Sequence, residues 1–386
     1  MDPALGSCTL ADLRRRRSVK WTTYPVDVLP AWVAEMDFDL AAPIAAALRE
    51  ALEWGDCGYA NPHDFGEPFA EFSRSRWHWA PDPSRVFAVP DVMTGIAEVV
   101  KAVTEPGAGI VINPPVYPPF FSRMALSGRR CVEAPLARDG AGRYELDFDA
   151  IDDALGRDGV RAYLLCNPHN PVGRVWSLAD LLSVAELCQR HGVWLLVDEI
   201  HSPLVLVGTE HTPVLSLDHD MVEKTFAFVS ASKGWNVAGL ACASVVAGSQ
   251  ASLGLLTERW EVLLPSHLGV IATEAAFARS VSWLDAAREQ LVENRRLLAD
   301  LLETHLPGVR YVPPEASFLA WLDCRELGLG GDPAAGFLER GRVALTPGES
   351  FGAEGRGFAR LNIGTSAPLV EEAVRRMAAA VSRDAT

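Results

Sequence analysis

The chain of 386 residues is 49% hydrophobic and 22% charged, a globular balance that excludes disordered and collagen-like chains. Its net charge of −15 argues against a nucleic-acid partner, because binding a phosphate backbone draws on clustered Lys and Arg. No stretch approaches the ~18–20 apolar residues of a membrane helix, and seven scattered cysteines without a C-x-x-C pair suit reduced thiols. The expectation is a cytoplasmic protein with no membrane partner.

This length predicts a large domain and a smaller one. The basic run Arg14 to Arg17 is followed by Lys20, Trp21 and Tyr24 in place of an apolar segment, so it reads as a salt-bridged N-terminal arm and not as a targeting signal. From Val86 onward, short apolar runs at 86–89, 109–112, 161–166, 193–197, 225–229 and 242–246 alternate with stretches of helical period. A helix is predicted over 177–191, with Ser177 as N-cap and Gly192 just past its end. Continuous apolar strands separated by helices predict an α/β fold with a mostly parallel sheet covered on both faces. After about Ser249 the pattern changes to long helices, 281–305 the longest. Strands at 317–322 and 358–363 and an amphipathic helix over 369–381 then complete a smaller α+β domain. Gly328 to Gly331 does not join a strand to a helix and reads as a loop.

Ligands of an open parallel sheet gather outside the carboxyl ends of its strands, and three of these ends carry unusual chemistry. Run 161–166 leads into Asn167-Pro168-His169-Asn170-Pro171-Val172-Gly173, where two Asn-Pro steps and a glycine force an irregular turn and leave amide side chains free to bind. Run 193–197 ends in Asp198-Glu199-Ile200-His201, and run 225–229 in Ser230-Ala231-Ser232-Lys233-Gly234. A carboxylate, an amine and two hydroxyls at neighbouring strand ends are what a pyridoxal-phosphate site needs. The amine forms an imine with the cofactor aldehyde, and a buried Asp stabilises the protonated pyridine nitrogen. Hydroxyls and N–H groups at a helix start hold the phosphate. Each element alone is weak, since an Asp at a strand end is more often a cap or an ion-pair partner; their order along one sheet edge carries the reading.

These residues, with Trp32-Val33-Ala34-Glu35-Met36-Asp37-Phe38, Asn236, Gly239 and Arg360-Leu361-Asn362-Ile363-Gly364, resemble the fold-type-I aminotransferase superfamily over nearly the whole chain. Within it they are most similar to the PatB/MalY-like carbon–sulfur lyases of the cystathionine β-lyase type. The resemblance implies a fold-type-I pyridoxal-phosphate-dependent transferase fold with a large domain, built on a mostly parallel seven-stranded sheet, and a smaller α+β C-terminal domain. Its expected divisions are an arm over 1–40 packing with the small domain, a large cofactor-binding domain over 41–275 and a small domain over 276–386. It implies Lys233 as the Schiff-base lysine and proton shuttle, Asp198 as partner of the pyridine nitrogen, Asn170 and His201 near the phenolic oxygen, and Tyr117 stacked on the ring. Ser230, Ser232 and the backbone at Val92-Met93 would hold the phosphate. Arg360 would receive the carboxylate of a small amino-acid substrate, beside Ala34 and Asn170, and its planar fork suits that task. Tyr59 would reach the phosphate of a neighbouring subunit, which implies a homodimer with shared active sites. The implied reaction is β-elimination from cystathionine or an S-substituted cysteine, giving thiol, pyruvate and ammonia, with an aminotransferase as the alternative. Histidine at 201 is shown by the lyases, where aminotransferases usually show tyrosine. Three positions depart from the pattern: Glu35 stands for Asp, Pro90-Asp91 for Pro-Gly, and Gly234-Trp235 follows Lys233 where another aromatic is common.

Other chemistries have less to rest on. Ser230-x-x-Lys233 fits the S-x-x-K pattern of penicillin-binding enzymes, but their S-D-N and K-T-G elements do not occur. A ligand-sensing regulator would carry a DNA-binding domain, and residues 1–85 are rich in Pro and Trp without a helix-turn-helix pattern. No metal is expected, as the histidines form no H-x-x-x-H pair; His211 with Asp218, His219 and Asp220 reads as a polar surface loop, and Cys166 and Cys242 as small core residues.

Overall fold

Alternation of β-branched runs with amphipathic helices folds here as expected from burial: each run enters one sheet and the helices cover its two faces. A computed structural model describes residues 5, 8–61, 65–256 and 263–382. Its main sheet has seven strands, β1 (Val86–Val89), β2 (Gly109–Ile112), β3 (Arg130–Glu133), β4 (Val160–Cys166), β5 (Trp194–Asp198), β6 (Thr225–Val229) and β7 (Ala243–Ala247), in the order β1-β7-β6-β5-β4-β2-β3. The pairs among β6, β5, β4, β2 and β3 are parallel, while β7 runs antiparallel to both β6 and β1. The register Cys166↔Asp198 and Asp198↔Phe228 lines up the carboxyl ends of β4, β5 and β6.

The helix after β4 is α4 (Leu178–His191), numbered after α1 (Ala42–Trp54), α2 (Gly66–Trp77) and α3 (Val92–Val103). Ser177 and Asp180 cap its start reciprocally, and Gly192 ends it in the left-handed region at φ 68°, where a side chain would be strained. Beyond the main sheet come α5 (His267–Arg279) and α6 (Val281–His305). A four-stranded antiparallel sheet follows, of β8 (Arg310–Tyr311), β9 (Leu319–Asp323), β10 (Thr346–Pro347) and β11 (Phe358–Asn362), in the order β8-β9-β11-β10. With α7 (Pro333–Gly341) and α8 (Ala367–Ser382) it forms the smaller α+β unit. Leu29 and Ala31 belong to that unit's apolar core, and Leu29–Pro30 pairs in parallel with Val343–Ala344.

Two readings are corrected. Among the described residues, Arg14 and Arg16 serve backbone carbonyls, of Val28 and of Met36, Asp37 and Phe38, and the salt bridge of the arm is made instead by Lys20 with Asp37, buried at 2.7 Å. His211 is not on a surface loop: it is buried, edge-on to Trp77 at 5.0 Å and 3.6 Å from the buried Glu199 carboxylate. A polar cluster in the sequence does not tell which of its members turns inward.

Candidate active site

The aligned strand ends open into one cavity of about 150 Å3. Lys233, Asp198, Asn170, His201, Tyr117 and Ser232 line it, and Ala34, Val92 and Met93 complete its wall. Of the chain's four lysines, Lys20 is spent on Asp37, Lys101 on Glu98, and Lys224 closes a short helical turn before β6. Lys233 is the lysine that lines this cavity. Its Nζ donates to the carbonyl of Ala34 at 2.9 Å. Enclosure by protein, and next the Arg360 guanidinium, push its pKa from 10.5 down to about 8.

Asp198 ends β5, 3% exposed, and accepts from the N–H of Ile200 at 3.1 Å. Burial raises its pKa to about 7, against the lowering by that N–H and by Lys233. A buried carboxylate held this way favours a cation brought to it. His201 is buried and kept neutral, its pKa lowered to about 3 by burial and then by Lys233 and Arg360; its Nδ1 lies 3.0 Å from the Ser317 hydroxyl. Asp91 caps α3 by accepting from the N–H and hydroxyl of Thr94, which leaves the first-turn amides of Val92 and Met93 at the cavity wall without intrahelical acceptors.

Arg360, on β11, reaches this constellation through Asn170. Its Nη1 donates to Asn170 Oδ1 at 3.1 Å, its Nη2 donates to the Trp32 carbonyl at 3.0 Å, and its Nε is buried without a partner among the described residues. The guanidinium sits 5.0 Å from the Phe351 ring centroid, and burial lowers its pKa to about 10. Ser230 lies just behind the cavity wall: its hydroxyl donates to the Cys242 carbonyl and accepts the N–H of Ser232. Tyr59 is 93% exposed and is not among the residues of this cavity, so the single chain does not bring it to the others. The neighbouring positions 62–64 lie outside the described residues.

The segment 32–38 brings Ala34 to the cavity wall, and its pins were not legible in advance. Asn236, at φ 59°, accepts from the N–H of Met36 and donates to the Met36 carbonyl, both at 2.7 Å, while Asn362 donates to the carbonyls of Val33 and Glu35. Glu35 takes the Ser18 hydroxyl at 2.6 Å, an arm contact. Trp235 turns away from the site, fully buried against Phe72 and Phe277 with its indole N–H on the Ser280 carbonyl, so that departure from the expected pattern is core packing. Sequence reasoning also missed Ile200 and Ala238 in the cavity wall, where Cys166, read as a small core residue, lies too, and it missed Ser317, a non-glycine residue at φ 75°. A serine in that backbone region is uncommon enough to point at a functional site, but only coordinates reveal it.

The family model for aminotransferase class I and II matches residues 34–377. The chain belongs to that family, and its architecture is that of the fold-type-I pyridoxal-phosphate enzymes. It is 46% identical, over 98% of both chains, to a Mycobacterium leprae protein provisionally named a cystathionine beta-lyase. Cystathionine beta-lyase PatB of Bacillus subtilis is 37% identical, over 95% of this chain and 97% of its own. Among solved structures, the PLP-bound C-S lyase from Staphylococcus hominis superposes with a TM-score of 0.90 at 27% identity, over 97% of this chain and 98% of that one.

Proposed function

We propose that the chain is a pyridoxal-phosphate-dependent carbon–sulfur β-lyase, acting on cystathionine or an S-substituted cysteine to give a thiol, pyruvate and ammonia. The observation that carries this reading is one cavity walled by a depressed-pKa lysine and a raised-pKa aspartate, with a buried arginine joined to it through Asn170. The named relatives and the PLP-bound lyase structure support the same reaction. The buried carboxylate, the free first-turn amides and the enclosed amine fit pyridoxal phosphate, with Asp198 on the pyridine nitrogen, Lys233 on the aldehyde carbon, Tyr117 against the ring, Asn170 and His201 by the phenolic oxygen, and Ser230, Ser232, Val92 and Met93 toward the phosphate. When bound, the cofactor supplies an electron sink for the pair left on Cα.

The protein's own residues do the rest. Arg360 offers a planar pair of N–H donors to the α-carboxylate, in place of the carbonyl and amide oxygens it now serves, and Ala34 and Asn170 border that position. Lys233, with its pKa near 8, is available uncharged close to neutral pH to take the Cα proton. Proton removal from Cα and departure of the thiolate from Cβ leave a three-carbon fragment that water converts to pyruvate and ammonia.

Tyr59, with Trp54 and Leu52 also exposed, is read as part of a homodimer face from which the tyrosine reaches the partner's phosphate site. The arm over 1–40 is read as packing with the small unit, whose core Leu29 and Ala31 join, and a division near residue 275 would fall within α5. Seven free cysteines suit a reducing cytoplasm. Incubation of the holoenzyme with cystathionine or S-methylcysteine tests the reaction. Thiol and pyruvate should appear without an added 2-oxo acid; a stable pyridoxamine form and dependence on a 2-oxo acid would make it an aminotransferase.

A further inference from the structure

A second cavity, of about 500 Å3, lies between the hairpin formed by Ala137–Arg138 and Tyr144–Glu145 and the small sheet. It shares the 170–174 turn with the catalytic cavity: Asn170 lines one, and Val172, Gly173 and Arg174 line the other. Gly173 is fixed there at φ 71°, where an added Cβ would come within 2.3 Å of Pro314.

Five arginines line this groove: Arg138, Arg143, Arg174, Arg310 and Arg325. Four of them form two centres. Glu315 receives both Arg143 and Arg174, and Asp323 receives both Arg138 and Arg325. Each centre has two guanidiniums to one carboxylate and keeps one positive charge in excess. Arg310 is matched by Glu326, and the Asp139 carboxylate, held in its own loop by the N–H groups of Ala141 and Arg143, keeps its negative charge, so five arginines meet four carboxylates and one positive charge is in excess over the groove as a whole. Arg138 and Arg325 are held against the Phe358 ring, 5.3 and 5.2 Å from its centroid, and Phe358 stacks on Trp321.

We propose that the groove is a second binding site, for a small anionic molecule of the carboxylate or phosphate-ester class. A groove lined by five arginines with a positive charge in excess, in a chain of net charge −15, selects for an anion. Calorimetric titration of the holoenzyme with succinate and with glycerol 3-phosphate tests the site, with glycerol as the uncharged control. At least one dianion should bind one-to-one and glycerol should not; the tighter dianion identifies the class. Binding should survive Arg360→Gln, which alters the catalytic cavity, and weaken at least about tenfold in Arg138→Gln/Arg325→Gln, as loss of hydrogen bonds to charged groups requires. Should that double variant fail to fold, Arg143→Gln, whose side chain is half exposed, should weaken binding about threefold. Absence of saturable binding by either dianion overturns the proposal. So does binding that Arg360→Gln removes while the groove variants leave it unchanged.

Discussion

Asp198 and Asp323 end strands in different sheets and are buried to nearly the same degree, 3% and 4% exposed, yet the protein treats them oppositely. Asp323 is gripped by Arg325 through two contacts of 2.8 and 2.7 Å and by Arg138, and its carboxyl is held below the ordinary range despite burial. Asp198 has a backbone N–H and a lysine that donates elsewhere, and it is raised to about 7. Burial therefore does not set the charge state; the partner does. The small sheet spends its cations on holding its carboxylate, while the strand-end cavity holds its carboxylate and its amine by backbone groups, as a site prepared for a cationic ring requires.

Removing the amine tests this contrast most severely. Lys233→Ala should lower turnover by about 10²–10⁴-fold, the range for a general acid–base group, read as pyruvate release from cystathionine. Asp198→Asn should lower turnover by about tenfold to a hundredfold, matching the ~1.5–3 kcal/mol of a hydrogen bond to a charged group. The same variant should make the cofactor-free protein more stable at pH 8, measured by thermal melting. The folded carboxyl, with its pKa near 7, holds a proton that the unfolded one loses above 3.8, so stability falls as pH rises from about 4 to 7. Asparagine lacks that slope, and its advantage should therefore widen through this window and then level off.

The opposite sign is expected at the paired carboxylate. Asp323→Asn should destabilise the protein at neutral pH by about 1–3 kcal/mol, as when a buried charged partner is left behind. Because the folded pKa is lowered there, the native contribution is present above pH 3.8 and is lost as pH falls through the folded value. Denaturant titrations at pH 7 and pH 3 should show the difference between the wild-type protein and this variant shrinking in acid. The smallest effect is expected at Ser317, whose hydroxyl meets His201 Nδ1. Ser317→Ala should lower kcat/KM by about threefold to tenfold, a net hydrogen bond of ~1 kcal/mol. Ser317→Gly should lose the same bond but melt higher than the alanine variant, because glycine accepts φ 75° without strain.

Much of this contrast could be read in the chain before any coordinates. Strand-end chemistry was legible because a polar residue directly after an apolar run can only sit at the sheet's edge, which is how Asp198, Lys233 and Asn170 stood out. Helix α4 was legible from its caps, and α6 from its period. Strand β3 was not, since Arg130 and Glu133 are exposed and Val132 is the only member buried, so no apolar run marks this edge strand. Nor was the reversed direction of β7, because a strand buried on both faces carries the same pattern whichever way it runs. The pins of 32–38, the Ser317 contact and the groove arginines other than Arg325 were hidden for one reason: their partners lie far away in sequence, as with Asn236 and Met36, and pairing over such distances leaves no local spacing to recognise.

Borohydride reduction of the holoenzyme followed by peptide mass analysis tests the central assignment most directly, because it fixes the cofactor covalently to whichever amine holds it. The label should fall on the peptide containing Lys233 and be absent from the Lys233→Ala protein. A label on Lys20, Lys101 or Lys224 in the wild-type protein would contradict the assignment.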